Sequence, residues 1–332
     1  MSWSRIMFAV ASPGGVGAME MDKAARLAAA LECELELFHC MFDPQVARPG
    51  RYGTRGAQED IHQVAVLRRQ QLEYNAMRLR TRGVRLQTSV RWDSPVYQGI
   101  VRQVLRHKPR LLIVQSNRRG RMERLLRRQT DFRLIETCPC PVLFLNSGRP
   151  WSDPTIVAGV DPERSHRKAA ALDDQILAAA TGLSRALHGR LRVFHARSSW
   201  EHAVRTYPQL REVPAVELGD AQAAYRKRVD AVVLELARRH EIAADCVQVI
   251  EGDAADLLPR ITSGGAADVV VLGLAPRSRF GRALIGHTAE RVLDTLDCDV
   301  MIVKGPGFRT PVRRGATHHV VTSAAEPGRI IL

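Results

Sequence analysis

The sequence predicts an α/β protein of two tandem, doubly wound parallel-sheet domains, Rossmann-like in class. Three observations carry that expectation. The chain repeats itself once, strand-like and helix-like segments alternate within each copy, and the strand-like segments are apolar almost throughout. The repeat is plainest between "QTDFRLIETCPCPVLFL" (129–145) and "HTAERVLDTLDCDVMIV" (287–303). There a shift of 158 aligns Thr130 with Thr288, Arg133 with Arg291, Thr137 with Thr295, Cys140 with Cys298 and Val142 with Val300. Earlier segments repeat as well: "RIMFAVA" (5–11) with "TIVAGVD" (155–161), and "LELFHC" (35–40) with "LRVFHA" (191–196). A repeat of this length marks two copies of one domain. Alternation with continuously apolar strands implies a parallel sheet covered on both faces by right-handed crossover helices.

The copies divide as 1–148 and 149–308. They are joined near "NSGRPWSDPT" (146–155), where Gly, Pro, Ser and Asp mark a linker. In the second copy a strand at 155–160 leads into a helix over 166–187 with its apolar residues on one face. A strand at 190–196 follows, then an irregular insert at 197–218, a helix near 220–240 and a strand at 246–250. A short helix at 254–263, the strand "DVVVLG", a helix at 287–296 and a strand at 299–304 complete the copy. The first copy reads the same way, with its own insert at 41–60. From Arg309 onward, through "RTPVRRG", a poorly structured tail is expected. In sheets of this kind ligands bind beyond the carboxyl ends of the strands, where strand order switches. That rule puts Val160, Asp161, Ala196, Gly252 and Gly273 on one rim.

Composition fits this plan. A chain of 332 residues at 45% hydrophobic suffices for two ordinary cores. No apolar run approaches the roughly 20 residues of a membrane span, and "MSWSRIMFAV" enters a strand without a signal-peptide pattern, so a cytoplasmic protein with no membrane partner is expected. Six cysteines at 33, 40, 138, 140, 246 and 298 are not a disulfide framework and suit a reducing compartment. "CPC" (138–140) lacks the spacing of a metal or redox motif and reads as structural thiols. The net charge of +14 is carried almost wholly by arginine and favours anionic partners.

The stretch "GLAPRSRFGRALIGHTAE" (273–290) and the final "HTAERVLDTLDCDVMIVK" resemble the universal stress protein family, in its tandem E-type arrangement, over nearly all of 1–308. The family's nucleotide-binding motif spaces two glycines by two residues and a third by nine more, followed by a hydroxyl residue. Gly273, Pro276 and Gly286 meet that spacing, with His287 and then Thr288 after them. The resemblance implies a regulatory or protective role under stress rather than a defined reaction. It also implies an adenine nucleotide (ATP or AMP, with Mg if ATP) held at Asp161 and Ala196 through the adenosine and at the glycines through the phosphates. Pairing of the last strands of the two copies, "VLFL" (142–145) and "VMIV" (300–303), into an intramolecular pseudo-dimer is a further implication, with a homodimer as an additional assembly.

The residues themselves argue both ways. Glycines let backbone N–H groups approach an anion, a helix start at 286–288 adds its dipole, and Arg277, Arg279 and Arg282 add cations. Pro276, in place of the second glycine, removes an N–H and fixes φ. The alternative is that His287 or Thr288 simply caps a helix whose first turn holds Glu290. In the first copy the motif is gone, with Gln115, Arg118, Arg128 and Gln129 at its positions and Ala11 where Asp161 stands. "NRRGRMERLLRRQTDFR" (117–133) instead concentrates arginines from Arg118 to Arg133. It reads either as a solvated basic face or as a docking surface for an acidic protein or nucleic acid.

His39 and His195 end equivalent strands, where packing explains them better than metal binding. Glu251 and Asp253 could orient a ribose or a magnesium ion, or serve as turn residues before a helix. No Ser-His-Asp order and no P-loop lysine is present. A weak Mg-dependent ATPase, with Asp253 positioning water, is the enzymatic alternative.

Overall fold

The computed structural model describes residues 5–47, 54–81, 83–115, 130–163, 167–206, 217–274, 292, 295–315 and 320–322. The chain forms two compact units, one built on Met1–Trp151 together with Phe308–Leu332, the other on Ser152–Ser278 and Ala283–Gly307.

In unit 1 the elements follow as β1 (Arg5–Ala9), α1 (Ala18–Ala30), β2 (Glu34–Met41), α2 (Arg55–Arg80), β3 (Leu86–Trp92), α3 (Val96–His107), β4 (Leu112–Gln115), a helical segment at 130–137 (α4), and β5 (Val142–Leu145). The strands lie in the order β3-β2-β1-β4-β5, all parallel, so the switch of direction falls between β1 and β4. Because both faces are covered, the central strands are apolar along most of their length. Ile6, Met7 and Phe8 on β1 are all fully buried. Lys23 of α1 donates to the Ser147 carbonyl at 2.7 Å and lies 5.3 Å over the Trp151 ring, which fastens the start of the linker to this unit.

Unit 2 repeats the pattern with β6 (Thr155–Gly159), α5 (Arg167–Leu187), β7 (Arg190–Arg197), α6 (Trp200–Thr206), α7 (Leu218–Arg239), β8 (Val247–Glu251), α8 (Ala254–Thr262), β9 (Val269–Leu274) and β10 (Asp299–Lys304). Its order is β8-β7-β6-β9-β10, again all parallel, with the switch between β6 and β9. Of the helix expected at 287–296, Val292, Thr295 and Leu296 are described; the first two are helical and Leu296 lies just past the end.

Three expectations are corrected. The insert at 197–218 is not wholly irregular, since Trp200–Thr206 forms α6. The insert at 41–60 ends early, because Thr54 caps α2 by accepting from the Ala57 amide at 3.3 Å. The tail is not merely loose chain. It returns to unit 1, where Val320–Thr322 pairs antiparallel with β3, Val320 opposite Arg91 and Thr322 opposite Ser89. An apolar segment, "VVT", thereby occupies an edge that would otherwise present unpaired N–H and C=O groups.

Packing sets one glycine of the expected motif. A Cβ at Gly273 would lie 2.7 Å from the Leu172 Cγ and from the Ile176 Cδ1 of α5, so β9 and α5 approach as closely as they do because that side chain is missing. Gly273→Ala is expected to destabilise unit 2 by about 1–3 kcal/mol. Urea unfolding in the absence of any nucleotide checks this, and an unchanged midpoint would remove the packing requirement.

Candidate functional site

The carboxyl edge of the unit 2 sheet gathers the residues that the strand pattern singled out. Val160 continues β6 by donating its N–H to the Phe194 carbonyl at 3.0 Å, and is itself buried. Asp161 follows, half-buried, and its N–H donates to Asp173 Oδ1 of α5 at 3.0 Å. On the neighbouring strands Ala196 stands opposite Ile250, and the Gly252 N–H donates to the Arg197 carbonyl at 3.0 Å. Gly252 has φ +145°, a conformation open to glycine and rarely to other residues. Val160, Asp161, Ala196, Gly252 and Gly273 thus share one edge, next to the β6/β9 switch. Pro276, Arg277, Gly286, His287 and Thr288 lie outside the described residues, as do Arg279, Arg282 and Glu290.

A polar cluster that the sequence did not announce occupies the same edge. The Glu163 carboxylate receives the Tyr225 hydroxyl at 2.6 Å, lies 3.1 Å from His195 Nε2, and accepts from the Ser198 amide at 3.4 Å. His195 is 1% exposed, and its other ring nitrogen, Nδ1, is 3.0 Å from the Val160 carbonyl. With both nitrogens facing acceptors, the ring is set up to carry two protons. Burial alone would push the His195 pKa down, yet the hydrogen bond to Glu163, aided by the Val160 carbonyl, holds it above the ordinary value. Burial would likewise push Glu163 up, but His195 and Tyr225 together hold it below the usual carboxylate range. The ring of Trp200, on α6, meets Tyr225 of α7 edge-on at 6.0 Å, so the insert helix packs against the residue that bonds Glu163.

The acids expected at the rim are engaged otherwise. Glu251 lies 3.7 Å from the Arg197 guanidinium and 3.6 Å from that of Arg226. Asp253 is the N-cap of α8, accepting from the Ala255 amide at 2.7 Å. Asp253 thus serves as a helix cap, while Glu251 ends β8 within an ion-pair cluster.

In unit 1 the equivalent edge is different. His39 bonds the Val10 carbonyl through Nδ1 at 2.8 Å, as His195 bonds Val160, but burial pushes its pKa down to about 4. Ala11 stands exposed where unit 2 has Asp161, and Pro13 opens a short 3-10 turn. Gln115, at the end of β4, is buried. The arginine segment from Arg118 to Arg128, and Gln129, lie outside the described residues. Its last member, Arg133, pairs with Glu136 on α4 at 2.9 Å. The thiols of Cys138 and Cys140 are 3.6 Å apart, and no disulfide joins them.

Two matches to the universal stress protein family model cover residues 3–146 and 154–304. The chain belongs to the universal stress protein family. Universal stress protein E of Photorhabdus laumondii is 24% identical over 70% of this chain and 73% of its own length. The protein of the same name from Escherichia coli K12 is 24% identical over 69% and 72%. Among solved structures, a functionally unknown protein from Pseudomonas aeruginosa PAO1 superposes with TM-score 0.67 at 23% identity, over 92% of this chain and 93% of its own. A universal stress protein from Archaeoglobus fulgidus gives 0.53 at 13% identity, over 91% and 96%. Likeness at this level speaks for the tandem fold and leaves the chemistry of the site to the side chains.

Both universal stress protein domains keep a histidine at the end of their second strand, with pKa shifts of opposite direction. What separates them is Glu163, two residues past the first strand-end aspartate. The only sequence signal for it was an acid in "DPERS". Its partner Tyr225 is 62 residues away, and pairing across that distance is not legible in a pattern.

The charged pair stabilises unit 2 in a defined window. His195 stays protonated above its ordinary 6.5, so its contribution is complete below that pH and is lost as pH rises through the folded value. Glu163 stays ionised below its ordinary 4.5, so its contribution is complete above that pH and is lost as pH falls through the folded value. Both act together between 4.5 and 6.5. In Glu163→Gln, NMR titration should find the His195 pKa lowered by at least about one unit, with His39 still near 4. An unmoved His195 would mean that Glu163 does not govern its charge.

Proposed function

We propose that this universal stress protein is a stress-response binding protein, regulatory or protective in role, whose ligand site lies in unit 2. The ligand class is an adenine nucleotide or a similar anion. Val160, Asp161 and Ala196 would hold the nucleoside. Gly252 and Gly273 border the same crevice, and Pro276, Arg277, Gly286, His287 and Thr288 would hold the phosphates. The observation that carries this reading is the arrival of Asp161 and Ala196 together at the carboxyl edge beside the strand-order switch, where doubly wound sheets take their ligands. The half-buried Asp161 carboxylate suits hydroxyl groups of a ribose. The missing side chain at Gly273 has its own packing cause, so the phosphate end of this reading rests on Gly286 and the arginines rather than on Gly273. Magnesium would accompany a triphosphate and supply charge neutralisation there. Cytoplasmic residence is part of the same reading, supported by six cysteines that form no disulfide and by the lack, among the described residues, of a helix able to cross a membrane.

Mass spectrometry of small molecules released from the freshly purified, denatured protein is the direct test, followed by calorimetric titration with ATP and AMP. One nucleotide per chain, or micromolar binding, is expected in the native protein, and Gly286→Val should weaken it at least tenfold. If neither nucleotide binds and none is released, the 273–290 loop is a helix cap and the ligand reading fails.

A further inference from the structure

We propose that unit 1 binds a small phosphate-type oxyanion at Arg91 and Arg102, between the end of β3 and the first turns of α3. The argument begins with Arg91, which is 3% exposed and whose Nε and Nη1 meet no hydrogen-bond partner. Its place follows from the strand register. Residues 89, 91 and 93 share one face of β3 by alternation. Ser89 on that face meets Gln103 of α3 at 3.4 Å, and a Cβ at Gly99 of α3 would stand 2.7 Å from the Cβ of Asp93. Arg91 sits between them, paired in register with Cys40, whose sulfur lies against the same Gly99. Arg91 therefore leaves β3 beneath the turn 99–103 of α3.

Arg102 belongs to the same turn. It donates to Asp93 Oδ1 at 2.5 Å and to Gln98 Oε1 at 2.8 Å, while its Nε is buried without a partner. Asp93 is also half-used. Its Oδ1 accepts from Arg102 and from the Ser94 amide, while Oδ2 is buried and unbonded. Among the described residues Arg102 thus pairs with Asp93, and the buried Arg91 has no ion pair. The nearby Glu36 is engaged elsewhere, by Ser89 at 2.7 Å, Gln103 at 2.6 Å, His107 at 2.7 Å and, at 3.9 Å, Arg5, and reaches neither Arg91 nor Arg102 among the described residues.

The orphan atoms are mainly donors, and Arg91 is a buried cation without an ion pair among the described residues. Internal water would satisfy N–H groups but bring no charge, and an uncompensated buried cation is costly. An oxyanion that retains one proton answers both needs. Its oxygens accept from Arg91 and Arg102, and its hydroxyl donates to Asp93 Oδ2. Helix α3 adds to the field, since its N-cap is Pro95, with no side-chain cap, and its first turn holds no acid. The site uses the β3–α3 connection, not the 116–129 segment that replaces the motif loop in this unit.

The test uses the full chain with Gly286→Val, which removes the phosphate site proposed for unit 2. Inorganic phosphate is titrated at constant ionic strength made up with chloride, with binding read by calorimetry and by the melting temperature. Saturable binding of one phosphate per chain is expected, weakened at least tenfold by Arg91→Met and by Arg102→Met. Without phosphate, Arg91→Met should melt no lower than its parent, because it removes an unbalanced charge. Should Arg91→Met fail to fold, Arg102→Met at the more exposed position carries the measurement. AMP then separates two sources of the same chemistry: competition with phosphate identifies the terminal group of a larger phosphomonoester, and no competition identifies the free ion. No saturable phosphate binding in the parent, or binding unchanged in both variants, overturns the proposal.

Discussion

Covering both faces of a parallel sheet leaves polar chemistry with few places except the ends of the strands. The two units obey this in detail: β4, β5 and β10 are buried at every position, and the groups that ionise gather where strands stop. Glu36 is the informative exception. It lies within β2, fully buried, and it is held by a hydroxyl, an amide and an imidazole, with a guanidinium behind them. That much compensation for a single carboxylate shows how strongly the sheet interior excludes charge. It also explains why the copies could diverge at their edges without changing their strands.

The divergence turns on the neighbours of a shared histidine. In each unit the ring at the end of the second strand bonds the carbonyl that follows the first strand, Val10 in one and Val160 in the other. This bond stitches two strands just beyond the last ladder rung, so it is structural first. In unit 1 nothing acidic reaches the second nitrogen among the described residues, and burial leaves His39 neutral. In unit 2 Glu163 reaches it, and the same burial holds a charged pair in place. A single acid thus raises the proton affinity of a packing histidine, and through Tyr225 and Trp200 it ties the insert helix to the sheet edge.

The architecture was legible because repetition and apolar continuity are local properties of sequence. "TIVAGVD", "LRVFHA" and "VMIV" each announce a parallel strand, and each is one, although β7 is buried only at Val193, Phe194 and His195. The tail strand was not legible. "VVT" is short, follows an arginine-rich stretch, and gains its partner only from β3, more than two hundred residues earlier in the chain. Helix α6 was hidden for a related reason, since seven residues between an arginine-rich strand end and the proline-containing sequence 207–216 show no clear period. Arg91 was the least visible of all. In sequence it is one arginine among many on an alternating strand, and only the closure of α3 over β3 makes it a buried cation.

Glycine 273 shows why a motif and a site are different kinds of statement. Read as spacing, it is the first residue of a phosphate loop. Read as packing, it is the place where Leu172 and Ile176 fill the volume that a side chain would need. Both constraints select glycine, so its presence does not discriminate between them. Asp161 is different, because no requirement of the hydrophobic core calls for an acid at that edge. Its amide is already bonded to Asp173, and that bond would form with any residue at position 161 except proline. The information about a ligand therefore lies in side chains whose identity the fold does not need. In unit 2 that points to Asp161, and in unit 1 to Arg91.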